Sequence, residues 1–210
     1  MTRIAIIDFE TTGLSPDQGD RATEVAIVMV EDGAVVGRFQ SLMNAGVRIG
    51  GFIESLTGIS NAMIAAAPPA HHVMRDAAAF VGDAPMVAHN ASFDRRYWQA
   101  ELARVGLPAP QPFACTVLLS RRLYPQAPSH SLGAMAALHR LPSAGRAHRA
   151  LADAEVTASL LARIQADLCQ RFEVTQASHA LMMKVQSCQR AAMDKAVRKY
   201  LAANLDVESI

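Results

Sequence analysis

Apolar and polar positions along the first forty residues change with the two-residue period of β-strands. In the stretch R-I-A-I-I-D-F-E-T-T-G-L at 3–14, Ile4, Ile6 and Ile7 predict a buried strand that ends in two acids one residue apart. Residues 22–30 predict a second strand, Asp32-Gly33 a hairpin turn, and residues 34–43 the returning third strand. Residues 44–51 form a glycine-punctuated loop. Short helical pieces fill 53–67 until Pro68-Pro69 breaks the pattern. The spacing then predicts a helix over 71–81, a short buried strand over 85–88 and a helix over 91–105. In that helix Phe93, Tyr97, Trp98 and Leu102 mark the apolar positions, with Asn90 or Ser92 as N-cap and Gly106 as terminator. Residues 113–123 read as a strand end running into a helix, 131–141 as a helix stopped by Pro142, and 143–149 as a basic loop. Residues 150–171 are an amphipathic helix with Leu151, Ala154, Leu160, Leu161 and Ile164 on its apolar side. A hairpin followed by alternating helices and strands implies an α/β fold, a mixed sheet covered by helices.

The last forty residues differ from the rest. All lysines of the chain (Lys184, Lys195 and Lys199) lie there, and Leu181, Val185, Cys188, Ala192 and Ala196 form one stripe at helical spacing. The stripe predicts a helix packed on the domain, with a dimer or partner contact as the alternative. Q-A-S-H-A-L at 176–181 is faintly similar to a sliding-clamp-binding peptide.

Composition narrows the picture. An apolar share of 51% against 19% charged residues excludes a disordered chain, and 210 residues suit one domain with room for an extra element. No apolar run of about 18 residues lacks a charge or a breaker, so no membrane span is expected. The N-terminal sequence runs straight into a strand without a cleavable signal pattern, which favours a cytoplasmic location. Cys115, Cys169 and Cys188 are odd in number and unpaired in sequence, the pattern of reduced thiols and not of a zinc or disulfide framework. A net charge of +1 means that an anionic substrate must be attracted locally, by a patch or a metal.

Chemistry concentrates in three acidic stretches. Side chains alternate across a strand, so Asp8 and Glu10 project to the same side. Two such carboxylates repel unless a cation lies between them, and oxygen ligands select a hard ion such as Mg²⁺ or Mn²⁺. Their alternative is a frayed strand end with both acids solvated. In H-N-A-S-F-D (89–94) and H-R-A-L-A-D (148–153), Asp94 and Asp153 fall in first helical turns, where the helix dipole alone would account for them. Taken together, Asp8, Glu10, Asp94 and Asp153 supply enough oxygens for two divalent ions about 3.5–4 Å apart. His148, on a loop five residues before Asp153, could reach a water beside them.

These three stretches, in this order and spacing, resemble the motifs of the DEDDh branch of the DnaQ-like (DNA polymerase III epsilon subunit-like) exonucleases. L-T-G-I-S at 56–60, Cys115-Thr116 and Ser131-Leu132 agree as secondary signatures. The resemblance covers about residues 3–168, giving an exonuclease domain at 1–168 and a C-terminal helical extension at 169–210 without counterpart in the common core. It implies an RNase H-like fold with a mixed five-stranded sheet. It also implies a 3′–5′ exonuclease that releases nucleoside 5′-monophosphates from single-stranded or frayed DNA ends, in proofreading or repair. RNA 3′-end trimming, oligonucleotide degradation, and a role chiefly as a polymerase-associated interaction subunit are the alternatives.

By the same resemblance Asp8, Glu10, Asp94 and Asp153 hold two Mg²⁺ or Mn²⁺ ions and His148 takes the proton of the attacking water. Thr11, Thr12, Leu14, Leu56 and Phe93 meet the terminal nucleotides. Arg95, Arg96, Arg146 and Arg149 are candidates for steering phosphate. His71, His72, His139 and His179 are expected at the surface. Expected partners are nucleic acid, with a polymerase, a sliding clamp or a second copy of the chain left open.

Overall fold

The computed structural model describes residues 3–142 and 148–204. Alternation along its central strand β1 (Arg3–Thr11) decides the layering. Ile4 and Ile6 join one buried cluster, and Ala5, Ile7 and Phe9 join another on the opposite face. β2 (Ala22–Glu31) and β3 (Ala34–Leu42) add the antiparallel hairpin, and β4 (Met86–Ala88) and β5 (Phe113–Cys115) pair in parallel on the other side of β1. The sheet order is therefore β3-β2-β1-β4-β5, an RNase H-like mixed sheet of five strands.

Helices α1 (Gly51–Thr57) and α2 (Asn61–Ala66) frame a small satellite cluster of Ile49, Ile59 and Ile64. α3 (Ala70–Val81) and α4 (Ala91–Arg104) cover the Ile7 face, where Tyr97 and Trp98 are fully buried. α5 (Thr116–Leu123), α6 (Leu132–His139) and α7 (Ala150–Phe172) cover the Ile4 face. Along α7, Leu160, Leu161, Ile164 and Leu168 are buried at helical spacing, each worth roughly 1.5–3 kcal/mol in apolar transfer.

The C-terminal segment departs from the single stripe its sequence suggests. α8 (His179–Ser187) ends where Cys188 turns extended, and α9 (Met193–Asn204) starts after a short 3₁₀ turn. The break has a physical cause: Arg122 Nε donates to the Cys188 carbonyl at 3.0 Å, taking an acceptor that a continuous helix would use. Register then shifts by one, so Met193 and Val197 are buried while Ala192 is exposed. Both helices join the cluster that holds Ile4, and the boundary drawn at 168 falls inside α7. His179, expected at the surface, is instead buried with its Nε2 2.9 Å from the Met86 carbonyl, and burial lowers its pKa. His71 and His72 are exposed as expected, and His139 packs against the Tyr124 ring.

Candidate active site

Asp8 and Glu10 continue the parity of Ile4 and Ile6, so the strand that buries its isoleucines under α7 aims its acids at α7's first turn. Asp153 lies in that turn, and one oxygen each of Asp8, Glu10 and Asp153 falls within 4.8 Å of the others. Asp94 arrives from the opposite layer. β4 is only three residues long, so the Phe9 N–H near the end of β1 lacks a strand partner; Asp94 Oδ1 accepts from it at 3.2 Å. Asp94 is 2% exposed. Asn90 occupies the N-cap position of α4, one of the two expected, at φ 71° and without a side-chain cap bond, and Ser92 lies inside the helix. A left-handed residue, tolerated by asparagine, lets the short strand turn directly into the helix.

The H-N-A-S-F-D histidine has a structural task. His89 Nδ1 lies 2.9 Å from Thr116 Oγ1 and its Nε2 3.1 Å from the His130 carbonyl, tying together β4, α5 and the approach to α6. Burial holds its pKa down at about 4, so it stays neutral. His148 is exposed and lines the site. Its φ is 61°, and its main-chain N–H donates to Asp153 Oδ2 at 3.1 Å.

Burial shifts every one of the four acids upward, and neighbouring carboxylates add to the rise at Asp8, Glu10 and Asp94. For Asp8 the causes are burial first, then the charges of Asp94, Glu10 and Asp153. Burial and Asp153 push Glu10 up to about 8, and burial pushes Asp94 to about 8 against the pull of the Phe9 amide. Asp153 is raised by burial, less the opposing effect of the His148 N–H. The Arg149 guanidinium, whose charge partly offsets that of Glu10, is bonded elsewhere. Its Nε and Nη2 bond Glu24 at 3.1 and 2.9 Å. Four oxygen donors with no arginine or lysine bonded to them among the described residues fit a hard divalent cation.

Around the acids opens a cleft of about 490 Å³ lined by Phe9, Thr11, Gly13, Leu14, Phe52, Leu56 and Phe93 among others. Leu14, Phe52 and Leu56 are 79%, 77% and 37% exposed, so large apolar side chains line the cleft without being buried by the fold. Phe93 also lines it while its ring packs on Tyr97, centroids 4.9 Å apart. The Thr11–Gly13 turn is fixed by its own bonds: Thr11 Oγ1 and Tyr97 Oη both donate to the Gly13 carbonyl, at 2.6 and 2.9 Å. A Cβ on Gly13 would meet Asp20 at 2.4 Å. Thr12 is not among the residues lining the cleft. Its hydroxyl donates to Asp20 and accepts from the Arg21 amide, and its own amide donates to the Arg21 carbonyl, so it braces the turn.

Of the phosphate-steering candidates, Arg149 is paired to Glu24, Arg96 donates to the Ser92 and Leu14 carbonyls, and Arg95 is exposed. Arg146 lies outside the described residues. Two contributors, Glu24 and Phe52, were absent from the sequence expectations. Glu24, fully buried opposite Glu10, accepts from Arg149, from the Ala150 amide at 3.2 Å and from Gln40 at 2.7 Å, anchoring the residues that lead into α7. A buried strand hides such a glutamate unless its partner is known. Phe52 could have been found, because it lies four residues before Leu56 on the same helix.

A central strand that delivers its acids to the first turns of two helices, one from each layer, is the layout of RNase H-like nucleases. The sequence matches the RNase_T family profile, described as Exonuclease, over residues 5–161, and the chain belongs to this exonuclease family. Its DEDDh members use divalent metal ions. The chain is 36% identical over 172 residues to "3'-5' exonuclease DinG" of Bacillus subtilis (80% of this chain, 18% of that protein). It is 34% identical over 171 residues to "DNA polymerase III PolC-type" of Halalkalibacterium halodurans (81% of this chain, 12% of that protein). It therefore spans less than a fifth of either relative. The solved structure "Exonuclease X in complex with 5' overhanging duplex DNA" superposes with TM-score 0.66 and 32% identity, covering 85% of this chain and 98% of that one. Among the described residues no helix is long and apolar enough to cross a membrane.

Proposed function

We propose that this protein is a 3′–5′ exonuclease that removes nucleoside 5′-monophosphates from single-stranded or frayed DNA ends, using two Mg²⁺ or Mn²⁺ ions. The observation that carries the reading is the meeting of Asp8, Glu10 and Asp153 oxygens within 4.8 Å, with Asp94 reaching the same strand end from the opposite layer. When bound, the divalent cations would polarise the phosphate and the attacking water and neutralise charge on the departing 3′ oxygen.

The chain's own side chains do the rest. Asp8, Glu10 and Asp153 would hold one ion and Asp8 with Asp94 the other. His148 takes a proton from the attacking water, a task suited to an imidazole. Leu14, Phe52, Leu56 and Phe93 grip the terminal bases by apolar contact, which needs no sequence reading. Thr11 lies beside them at the floor of the cleft, with its hydroxyl committed to the turn. Residues 1–168 would form the catalytic domain and 169–210 an extension that helps build its core. DNA is favoured over RNA by the name of the PolC-type relative and by the duplex DNA bound to exonuclease X.

The test compares nucleotide release from 5′-labelled DNA and RNA oligomers of one sequence, with Mg²⁺, with Mn²⁺ and with EDTA. Shortening from the 3′ end of DNA in Mg²⁺, abolished by EDTA, is expected. Equal or faster RNA shortening would replace DNA by RNA as substrate, and full activity in EDTA would remove the metal from the reading.

A further inference from the structure

On the other side of α4's first turn lies a second cleft, of about 360 Å³. Its walls include Asn90, Ser92, Arg95, Val117, Arg121 and Gln186, and no acid among the described residues lines it. Two arginine pairs meet there in sequence, and each pair divides in the same way. Arg96 donates to the Ser92 and Leu14 carbonyls and Arg122 to those of Leu118 and Cys188, so both are tied into the fold. Their neighbours Arg95 and Arg121 are exposed, line the cleft and, among the described residues, make no hydrogen bond or ion pair. Elsewhere on the surface Arg38, Arg163 and Arg171 each have a carboxylate partner. The wall of the cleft is rigid on its far side: Gln186 of α8 accepts from the Cys115 amide at 2.7 Å and donates to the Phe113 carbonyl at 3.2 Å, filling the open edge of β5 as a further strand would.

We propose that this cleft binds phosphodiesters of the nucleic-acid substrate beyond its terminal nucleotide, with Arg95 and Arg121 as the contacts. The inference rests on the exonuclease reading above. The helix separating the two clefts is about 10 Å across, a span covered by about three nucleotides at a stacked rise of about 3.4 Å. A strand whose 3′ end lies among Leu14, Phe52 and Phe93 thus reaches the arginines a few residues upstream. Two guanidinium groups with no acid beside them offer forked donors matched to phosphate oxygens. They also supply the local attraction that a chain of net charge +1 lacks globally.

The experiment measures binding separately from hydrolysis, by fluorescence anisotropy of a labelled single-stranded DNA 12-mer on full-length Asp8→Ala protein, with an unlabelled dinucleotide as competitor. Arg95→Ala or Arg121→Ala should each weaken 12-mer binding about three-fold, and the double variant about ten-fold. The slope of log affinity against log salt should become shallower by about 0.7 for each lost phosphate contact. Dinucleotide competition should not change, because a dinucleotide does not extend past α4, and Arg163→Ala should match the parent. The proposal is overturned if the double variant binds the 12-mer with the parent's affinity and salt slope, if the dinucleotide weakens equally, or if the parent binds no 12-mer. A protein that binds as expected yet releases no nucleotide from wild-type enzyme in Mg²⁺ would refute the exonuclease reading and leave the cleft standing.

Discussion

Two sets of buried or half-buried carboxylates are treated in opposite ways by the same fold. Glu24 and Glu101, 0% and 2% exposed, are each gripped by an Arg-Ala pair: the arginine bonds both carboxylate oxygens and the following alanine donates its amide. Arg149-Ala150 does this for Glu24 and Arg21-Ala22 for Glu101. Among the described residues no cation grips Asp8, Glu10, Asp94 or Asp153 in this way, and their pKa values rise where that of Glu24 falls. The contrast separates rivets from ligands. Where a carboxylate joins two elements the chain supplies its counter-charge, and where cations must come from solution it supplies none.

The largest expected effect tests the second set. Asp8→Asn should lower nucleotide release by about a thousand-fold or more, because ion binding and the attack on phosphate both depend on that carboxylate. In EDTA at pH 8 the same variant should melt at a higher temperature than the parent, since it removes a buried acid whose ionisation the fold opposes. Loss of activity accompanied by a lower melting temperature would place Asp8 among the rivets.

Next in size is the unpairing of a rivet. Arg149→Met leaves Glu24 buried without its cation and should cost about 3 kcal/mol in urea unfolding, somewhat less than a fully buried pair because the Arg149 side chain is 32% exposed. The release rate should fall as well, since Arg149 joins His148 to the first turn of α7. Arg21→Met should cost a comparable amount with a smaller effect on rate, because its loop lies away from Asp153. Equal rate losses in both variants would mean that Glu24 has no particular hold on the site.

The pH dependence follows from the shifts of the second set. Glu10 keeps its proton to about pH 8 when folded and loses it near its ordinary 4.5 when unfolded. The stability conferred by that proton is therefore complete below about 4.5 and is lost as pH climbs through 8; Asp94 behaves alike. Metal-free protein should thus melt at a lower temperature at pH 8.5 than at pH 5.5, by several degrees. Mg²⁺ should raise the melting temperature far more at pH 8.5 than at 5.5, because cations must displace those protons to bind. A melting temperature in EDTA that rises with pH across this range would contradict the crowded-acid picture.

What the sequence disclosed divides along the same line. The hairpin, the parity of Ile4, Ile6, Asp8 and Glu10, and the first-turn acids of two helices are local patterns, and each appears in the structure where its spacing puts it. The Glu24 rivet was hidden because its partner lies 125 residues away and nothing in A-T-E-V marks a buried charge. The broken C-terminal helix was hidden for a like reason: the Arg122 that ends α8 belongs to another element. The bracing role of the Thr12 hydroxyl was hidden too, because its partners Asp20 and Arg21 meet it only once the turn has folded. Local periodicity carries the elements; long-range pairing carries the bracing.

The sharpest form of the comparison lies within a single pair of residues. Glu10 and Glu24 face each other across β1 and β2 and share a residue type, yet among the described residues only Glu24 has an arginine bonded to it. Replacing each with glutamine removes a charge and little volume. At pH 8 in EDTA, Glu24→Gln should destabilise the protein by about 2 kcal/mol, because the Arg149 fork and the Ala150 amide lose their charged acceptor. Glu10→Gln should stabilise it by about 1 kcal/mol by removing the burial cost of the Glu10 charge and its repulsion from Asp153. Saturating Mg²⁺ should reverse the second sign, since the cations then lose a ligand, and leave the first unchanged. If both substitutions shift stability in one direction in EDTA, the distinction between compensated and waiting carboxylates fails at the position where it is cleanest.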